Sequence, residues 1–199
     1  MRRLPASARI SRACTRWPGT RRSASGRRAS KVSPRVIVGQ QLSIASVEAI
    51  WNRVQAAVQP FQPATLLATP EKTLRKAGLS RGKIATLRVI AGAIGSGKLK
   101  LDALSRAPEE KIHAELTALK GIGPWTADIY IMFSLARADA WSPGDLALQH
   151  AVKDALLLAE RPSLVQMDEV AEAWRPWRGV AARLLWSYYA FRCKVGPPF

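Results

Sequence analysis

The chain reads LKGIGPWTA from Leu119 to Ala127, and SPGD follows it from Ser142 to Asp145. Helical patterns flank the first stretch, which therefore predicts a short turn with two glycines between two helices. Such a turn presents backbone N–H groups, and these bind phosphate at the start of a helix. Glycine also permits a positive φ and a close approach that a Cβ would block. A Gly-x-Gly turn alone is more often an ordinary joint between helices than a phosphate site.

Helical patterns cover the chain from Ser33 onward. Ser33 as N-cap and Pro34 at the first helical position begin an apolar pattern that continues to Val54. Three prolines then predict an irregular connection. The further predicted helices are Glu71 to Ala77, a helix capped by Ser80 and ended by Gly95 and Gly97, a helix from Pro108 to the two-glycine turn, Trp125 to about Ala136, Asp145 to about Leu158, Met167 to Trp174, and Arg178 to about Arg192. No stretch keeps the strand period for long, so the sequence predicts an all-α fold with no sheet domain.

Charge and composition favour a polyanionic partner. The 199 residues carry a net charge of +17, of which eleven basic residues and no acid lie in residues 1–35, leaving +6 for the rest. Basic surfaces of this kind bind nucleic acid, because each neutralised phosphate releases counterions. A merely solvated basic surface is the alternative. The chain is 48% apolar with seven tryptophans, which is enough for a packed core.

The first 33 residues are rich in arginine and serine and show no apolar periodicity, so we expect little stable structure there. An organelle transit peptide, a nucleic-acid-binding arm and an extension upstream of the true start all fit this composition. We expect residues 34–199 to form the folded part. Cys14 and Cys193 lie near opposite ends, and no Cys or His spacing suits zinc or an iron–sulfur cluster. The sequence contains no run of about 18 apolar residues, so it predicts no membrane span.

Four ordered stretches carry a resemblance to a known family. They are IVGQQLS (37–43), LKGIGPWTA (119–127), SPGD (142–145) and AWRPWRGVAARLLW (173–186). Together they resemble the helix-hairpin-helix base-excision DNA glycosylase superfamily, and within it the DNA-3-methyladenine glycosylase II branch. The similarity extends over about residues 35–195. It implies a two-lobed helical bundle with a cleft between the lobes and a hairpin that binds the strand beside the lesion.

The resemblance assigns catalysis to Asp145. Hydrolysis of an N-glycosidic bond builds positive charge on the deoxyribose, so a fixed carboxylate stabilises the transition state and can orient or deprotonate the attacking water. The alternative for Asp145 is a helix N-cap after Pro-Gly. Both roles are compatible, since a helix N-terminus favours an ionised carboxylate.

The resemblance also implies a base pocket that includes Trp125 and Trp186. A further pocket position, aromatic in some members, falls on Ile129, and the adjacent Tyr130 is our candidate for it. Indole faces attract an electron-poor methylated purine through stacking and cation–π interactions. Members that cleave the DNA backbone carry a lysine at the position of Trp125, so the tryptophan implies a hydrolase without lyase activity. Ordinary core packing is the alternative for both tryptophans. Trp141, Trp174 and Trp177 are predicted to be packing residues.

The remaining site residues are those expected to contact DNA or a cation. Gln41, with Gln40, matches the side chain that fills the gap left by a flipped base, although an exposed polar pair is the alternative. We expect DNA contacts from the hairpin residues Lys120, Gly121, Ile122, Gly123 and Thr126. Arg81 and Lys83 are candidates for further phosphate contacts, and Arg175 and Arg178 for ties between helices. A solvated surface charge is the alternative for each of these basic residues. The resemblance also implies a structural monovalent cation on the carbonyls of Thr117, Leu119 and Ile122, and no required cofactor.

The sequence therefore predicts a monofunctional glycosylase for alkylated purines such as 3-methyladenine and 7-methylguanine. It is expected to act as a monomer on double-stranded DNA with damaged bases, in the cytoplasm, and at the nucleoid if the source is bacterial. Two alternatives stay open. One is a non-catalytic helix-hairpin-helix module that binds DNA, and the other is a glycosylase for another lesion such as uracil or hypoxanthine.

Overall fold

The computed structural model describes residues 34–39 and 44–193, and this part of the chain is helical and contains no strand. The prediction of an all-α fold is confirmed. The helices are α1 Pro34–Gly39, α2 Ile44–Ala57, α3 Pro63–Ala68, α4 Glu71–Lys76, α5 Arg81–Gly95, α6 Leu101–Leu104, α7 Glu109–Thr117, α8 Pro124–Ile129, α9 Leu146–Leu156, α10 Leu164–Glu172 and α11 Arg178–Cys193. A π-helical turn, Tyr130–Ser134, follows α8 directly. None of the described helices is long and apolar enough to cross a membrane.

The described residues fall into two compact units, which meet in the sequence between Ala136 and Arg137. The N-terminal unit holds α1 to α8 and the π-helical turn, and the C-terminal unit holds α9 to α11. In the N-terminal unit α5 packs against α1, α3 and α4, and α7 packs against α8. Buried aliphatic side chains from α4, α5 and α7, such as Leu74, Ile84 and Ile112, form its core.

Long basic side chains cap carbonyl groups at three helix ends of the N-terminal unit. Lys83 Nζ donates to Val38 O in α1 at 2.7 Å, and Arg53 Nε donates to Ala77 O after α4 at 3.0 Å. Arg88 donates to the carbonyl of Thr69, the residue after α3, at 3.0 Å. The last carbonyls of a helix have no partner within it, so these side chains satisfy them. Their positive charges also interact favourably with the negative end of the helix dipole.

The turn between α7 and α8 depends on Gly121. Ile122 N donates to Leu119 O at 3.0 Å, and Gly121 has a φ of +93°, as the third residue of a type II turn requires. A Cβ at Gly121 would overlap the side chain of Thr86 in α5. Gly123 differs, because its φ is −91° and no atom in the described part of the chain lies near its Cβ position. The positive φ predicted for this turn is therefore found at Gly121 and not at Gly123, where the close approach of a phosphate stays a prediction.

The C-terminal unit is built on the packing of α9 against α11. Leu148 and Val152 of α9, Met167 of α10 and Leu185 of α11 form its buried core. Ser163 and Gln166 form a capping box at the start of α10, in which each side chain bonds the other residue's backbone N–H. These contacts place α9, which follows Asp145, directly against the helix that carries Trp186.

Asp139 ties the segment before α9 to the start of α11. Its carboxylate accepts from Arg178 Nε at 3.0 Å, from a terminal nitrogen of Arg178 at 2.9 Å and from Arg175 at 2.8 Å. Burial raises the pKa of Asp139, but the hydrogen bonds and charge of Arg178 and the charge of Arg175 outweigh it, so the pKa lies below its ordinary value. The predicted role of both arginines as ties is confirmed.

Three expectations from the sequence are corrected. The proline-rich connection contains α3, because Pro63 occupies the first helical turn, where a missing N–H costs nothing. The helix expected from Trp125 to about Ala136 widens into the π-helical turn at Tyr130. Trp141 and Trp174 pack edge to face with centroids 5.5 Å apart, as expected of packing residues, whereas Trp177 is 60% exposed.

Gly121→Ala is expected to destabilise the fold by about 2 kcal/mol or more, because alanine is strained at positive φ and its methyl group displaces Thr86. Gly123→Ala is the matched control and should change stability by less than about 0.5 kcal/mol. Urea unfolding of both variants measures the difference. Equal losses in the two variants would contradict the assigned geometry.

Asp139→Asn should lower the free energy of unfolding by about 1–3 kcal/mol at pH 7, since it leaves Arg175 and the largely buried Arg178 without the negative charge that compensates them. The native pKa of Asp139 is lowered, so its stabilisation is present above the ordinary carboxyl pKa and is lost as pH falls through the native value. The difference between wild type and variant should therefore shrink below about pH 4. Urea titrations at several pH values measure it, and a constant difference would count against the ion pairs.

Candidate active site

The loop before α9 forms a tight turn that ends at Asp145. Asp145 N donates to Ser142 O at 3.2 Å, with Pro143 at the second position, where its fixed φ suits a turn. Gln149 Nε2 donates to Pro143 O at 2.8 Å, one turn into α9. Ser142 and Gln149 are both buried, so this turn is held from inside the C-terminal unit.

Gly144 is exposed, and neither a positive φ nor a neighbouring atom of the described residues requires glycine there. The position next to Asp145 thus presents bare backbone at the surface. Because Gly144 has no side chain, another molecule has room to approach the backbone beside Asp145 closely.

Asp145 is the N-cap of α9, and its carboxylate is held by two donors. Oδ1 accepts from Leu148 N at 2.8 Å and from Trp186 Nε1 at 3.0 Å. The residue is only 7% exposed. A buried carboxylate is costly without hydrogen bonds, and these two donors supply them at the start of α9. The predicted N-cap is confirmed, and the same geometry fixes the direction of the carboxylate.

Trp186 lies in α11 and is 2% exposed. Its indole N–H bonds the carboxylate that the resemblance assigns to catalysis, a contact that the sequence did not reveal. The structure thus brings Asp145 and Trp186 together across 41 positions of sequence. The role of Trp186 in a base pocket stays a prediction.

Tyr189 lies one turn after Trp186 and is influenced by the charge of Asp145. The sequence analysis singled out Trp186 but not Tyr189. A hydrogen bond with Cys193, burial and the negative charge of Asp145 raise the pKa of the Tyr189 phenol. His150 of α9 stacks on its ring, with centroids 6.2 Å apart. The three- and four-residue spacing in α11 was the available signal, but it does not distinguish a site from core packing.

In the N-terminal unit, the hairpin of α7 and α8 divides its side chains between core and surface. Leu119 and Ile122 are buried, while Lys120, Gly121 and Gly123 are exposed. The exposed groups are therefore a lysine and two glycines, which suit a phosphate backbone. Thr126 is only 5% exposed, so its predicted DNA contact is not carried further.

The two other predicted pocket residues lie where the hairpin's second helix begins and ends. Trp125 is half-buried in the first turn of α8. Tyr130 is buried at the start of the π-helical turn, and burial raises its pKa to about 12. Among the described residues its hydroxyl has no hydrogen-bond partner. Such turns are rare and often lie at functional sites.

The predicted cation ligands are carbonyls of the same hairpin. Leu119 O accepts the N–H of Ile122, and a carbonyl oxygen has a second lone pair for a cation. Thr117 ends α7, where terminal carbonyls lack helical partners. The backbone is thus compatible with a monovalent cation, and this site stays a prediction.

Two further predictions concern residues near α1. Lys83 donates to Val38 O, and burial lowers its pKa, so its structure favours a helix-capping role over the predicted phosphate contact. Arg81 is largely exposed, 4.0 Å from Glu71. Gln40 and Gln41, the predicted wedge, lie outside the described residues.

Comparison with known proteins places this geometry in a family. Residues 35–176 match the model of the HhH-GPD superfamily base excision DNA repair protein. DNA-3-methyladenine glycosylase 1 of Schizosaccharomyces pombe is 30% identical over 157 residues, which cover 77% of this chain and 69% of the relative.

Two solved structures share the fold. The 3-methyladenine DNA glycosylase of Schizosaccharomyces pombe in complex with abasic DNA matches with a TM-score of 0.80 and 26% identity, covering 92% of this chain and 91% of that one. A DNA-3-methyladenine glycosidase from Bacillus halodurans matches with a TM-score of 0.73 and 31% identity, covering 94% and 87%. The chain belongs to the HhH-GPD superfamily of base excision DNA repair proteins.

Proposed function

We propose that this protein is a DNA glycosylase that hydrolyses the N-glycosidic bond of alkylated purines in base excision repair. The relative and the two solved structures described above are named as 3-methyladenine DNA glycosylases or glycosidases. The observation that carries the proposal is the buried Asp145 carboxylate, oriented by Leu148 N and Trp186 Nε1 beside the exposed Gly144.

The carboxylate acts on charge that develops during bond cleavage. As the bond between C1′ and the base nitrogen breaks, its electron pair leaves with the base and the sugar becomes cationic. Asp145 stabilises this cation without reorganising, because its direction is already fixed. A water oxygen then adds to C1′, and its proton passes to Asp145 or to solvent. The products are the free base and an abasic site.

Alkylated purines suit a site with one acidic group. Methylation at N3 or N7 gives the base a positive charge, so it departs as a neutral molecule without a strong general acid. The protein must also extrude the nucleotide from the duplex. Trp125, which is half-buried, and Tyr130 are proposed to contact the extruded base.

Trp125 also bears on the type of reaction. A lyase needs an amine that forms a Schiff base with the sugar. Trp125 has none, which supports a purely hydrolytic enzyme. We propose that the exposed hairpin residues Lys120, Gly121 and Gly123 bind backbone phosphate of damaged double-stranded DNA, that the hairpin carbonyls hold a monovalent cation, and that the protein acts as a monomer.

Asp145→Asn should reduce release of 3-methyladenine and 7-methylguanine from alkylated DNA by about 100-fold or more, because it removes the charge that stabilises the sugar cation. Asparagine caps helices as well as aspartate does, so stability should change by less than about 1 kcal/mol. Chromatography of released bases, with melting temperatures of both proteins, measures the two effects.

The matched control is Ser163→Ala, which removes another N-cap of the same unit. It should cost about 1 kcal/mol of stability and leave base release unchanged. Full activity in Asp145→Asn would reject the assigned catalyst. Wild-type release of uracil or hypoxanthine, but of neither alkylpurine, would reassign the lesion. Binding of DNA without release of any base would favour the non-catalytic module.

Lys120→Ala tests the DNA contact of the hairpin. Loss of one phosphate contact should weaken binding alike for all sequences and reduce the slope of log K against log salt by about 1. Lys111→Ala is the control, because Lys111 is an exposed residue of α7 that faces Glu115 at 3.9 Å. Fluorescence anisotropy at several salt concentrations measures both slopes. An identical slope in wild type and Lys120→Ala would exclude this phosphate contact.

A further inference from the structure

Two separate segments of the C-terminal unit meet at one oxygen atom of Asp145. The loop 137–145 and α9 supply the carboxylate and the N–H of Leu148, while α11 supplies the indole N–H of Trp186. Only the second of these donors comes from a different element. The orientation of the carboxylate therefore depends on how α11 lies against the loop.

The same two segments are joined again at their other ends. Asp139 lies six residues before Asp145, and Arg178 lies eight residues before Trp186. Asp139 accepts from the side chain of Arg178 at 2.9 and 3.0 Å and from its backbone N–H at 3.3 Å. The Arg178 side chain is only 14% exposed, so this ion pair is better shielded from solvent than a surface pair.

The backbone around the ion pair leaves little room for movement. Gly179 N donates to Ala138 O at 2.8 Å. A Cβ at Gly179 would lie 2.9 Å from Ala138 O and 3.1 Å from both Arg137 O and Ala140 O. Real Cβ atoms do not tolerate the shortest of these contacts, so the first turn of α11 sits directly on the loop.

Helix geometry carries this constraint to the active site. Eight helical residues span about 12 Å, and a packed helix moves as a rigid element. The Trp186 bond to Asp145 is 3.0 Å long, and a shift of about half an ångström along it exceeds hydrogen-bonding range. A shift of α11 at Arg178 therefore alters the hydrogen bond between Trp186 and the carboxylate of Asp145.

We propose that Asp139 and Arg178 are positioning residues for catalysis. Their ion pair fixes α11 against the loop at the register in which Trp186 holds Oδ1 of Asp145. This inference rests on the proposed glycosylase function, for which Asp145 is the catalytic residue. Arg175, which bonds both Asp139 and Glu172 at 2.8 Å, supports the pair from the surface.

The test compares Asp139→Asn and Arg178→Lys with Arg192→Gln in the full-length protein. Arg192 lies on the same helix and faces Asp154 at 3.5 Å, so its variant removes an ion pair distant in the helix from the loop. The readouts are kcat and KM for release of 3-methyladenine, melting temperature, and the indole ¹H–¹⁵N signal of Trp186. The Trp186 signal is identified as the indole signal that is missing from the spectrum of Trp186→Phe.

In Asp139→Asn and Arg178→Lys, kcat should fall about tenfold or more, since small misplacements of a catalytic group are costly. KM should stay within about twofold. The Trp186 indole signal should move toward the position of a weaker hydrogen bond. Arg192→Gln should leave both unchanged. Assays run well below each melting temperature separate this effect from unfolding.

A purely structural role predicts a lower melting temperature with unchanged kcat and an unmoved Trp186 signal, and that result would overturn the proposal. A moved signal with unchanged kcat would overturn it as well. If wild type releases no alkylpurine, the proposed function fails. The indole signal then still decides whether the ion pair controls the bond between Trp186 and Asp145.

Discussion

The hydrogen bonds to Oδ1 of Asp145 are the contacts on which the C-terminal unit and its chemistry both depend. The carboxylate of Asp145, a residue that is 7% exposed, accepts hydrogen bonds from Leu148 N and Trp186 Nε1, and such bonds offset the cost of burying it. The same bonds start α9 and join it to α11. Contacts that join α9 to α11 therefore also orient the carboxylate of Asp145.

The sequence predicted the elements of the fold well because helix signals are local. Ser80 caps α5, Pro124 stands in the first turn of α8, and Gly121 takes the positive φ that its turn needs. It did not separate Gly121 from Gly123, since the difference arises from Thr86, which is distant in sequence. The π-helical turn had no local signal either.

The site was predictable in part, for the same reason. Asp145 follows Pro-Gly and begins a helix, so both its cap and its candidate role could be inferred from neighbours. Its bond to Trp186, the buried Gln149 under the turn and the acid partner of Arg178 all join residues through packing. Contacts of this kind depend on how helices assemble, and spacing within one helix does not encode them.

Asp139 and Asp145 lie six residues apart and show how one loop uses two carboxylates differently. Asp139 meets two arginines, so its charge is neutralised locally and its pKa is lowered. Oδ1 of Asp145 meets a backbone amide and an indole, which are neutral donors. Hydrogen bonds from these groups give the carboxylate a fixed direction, which is what stabilisation of a developing sugar cation needs in the proposed reaction. The arginines thus fix the position of Asp139, while the hydrogen bonds from Leu148 and Trp186 fix the direction of the Asp145 carboxylate that we propose to act on the sugar.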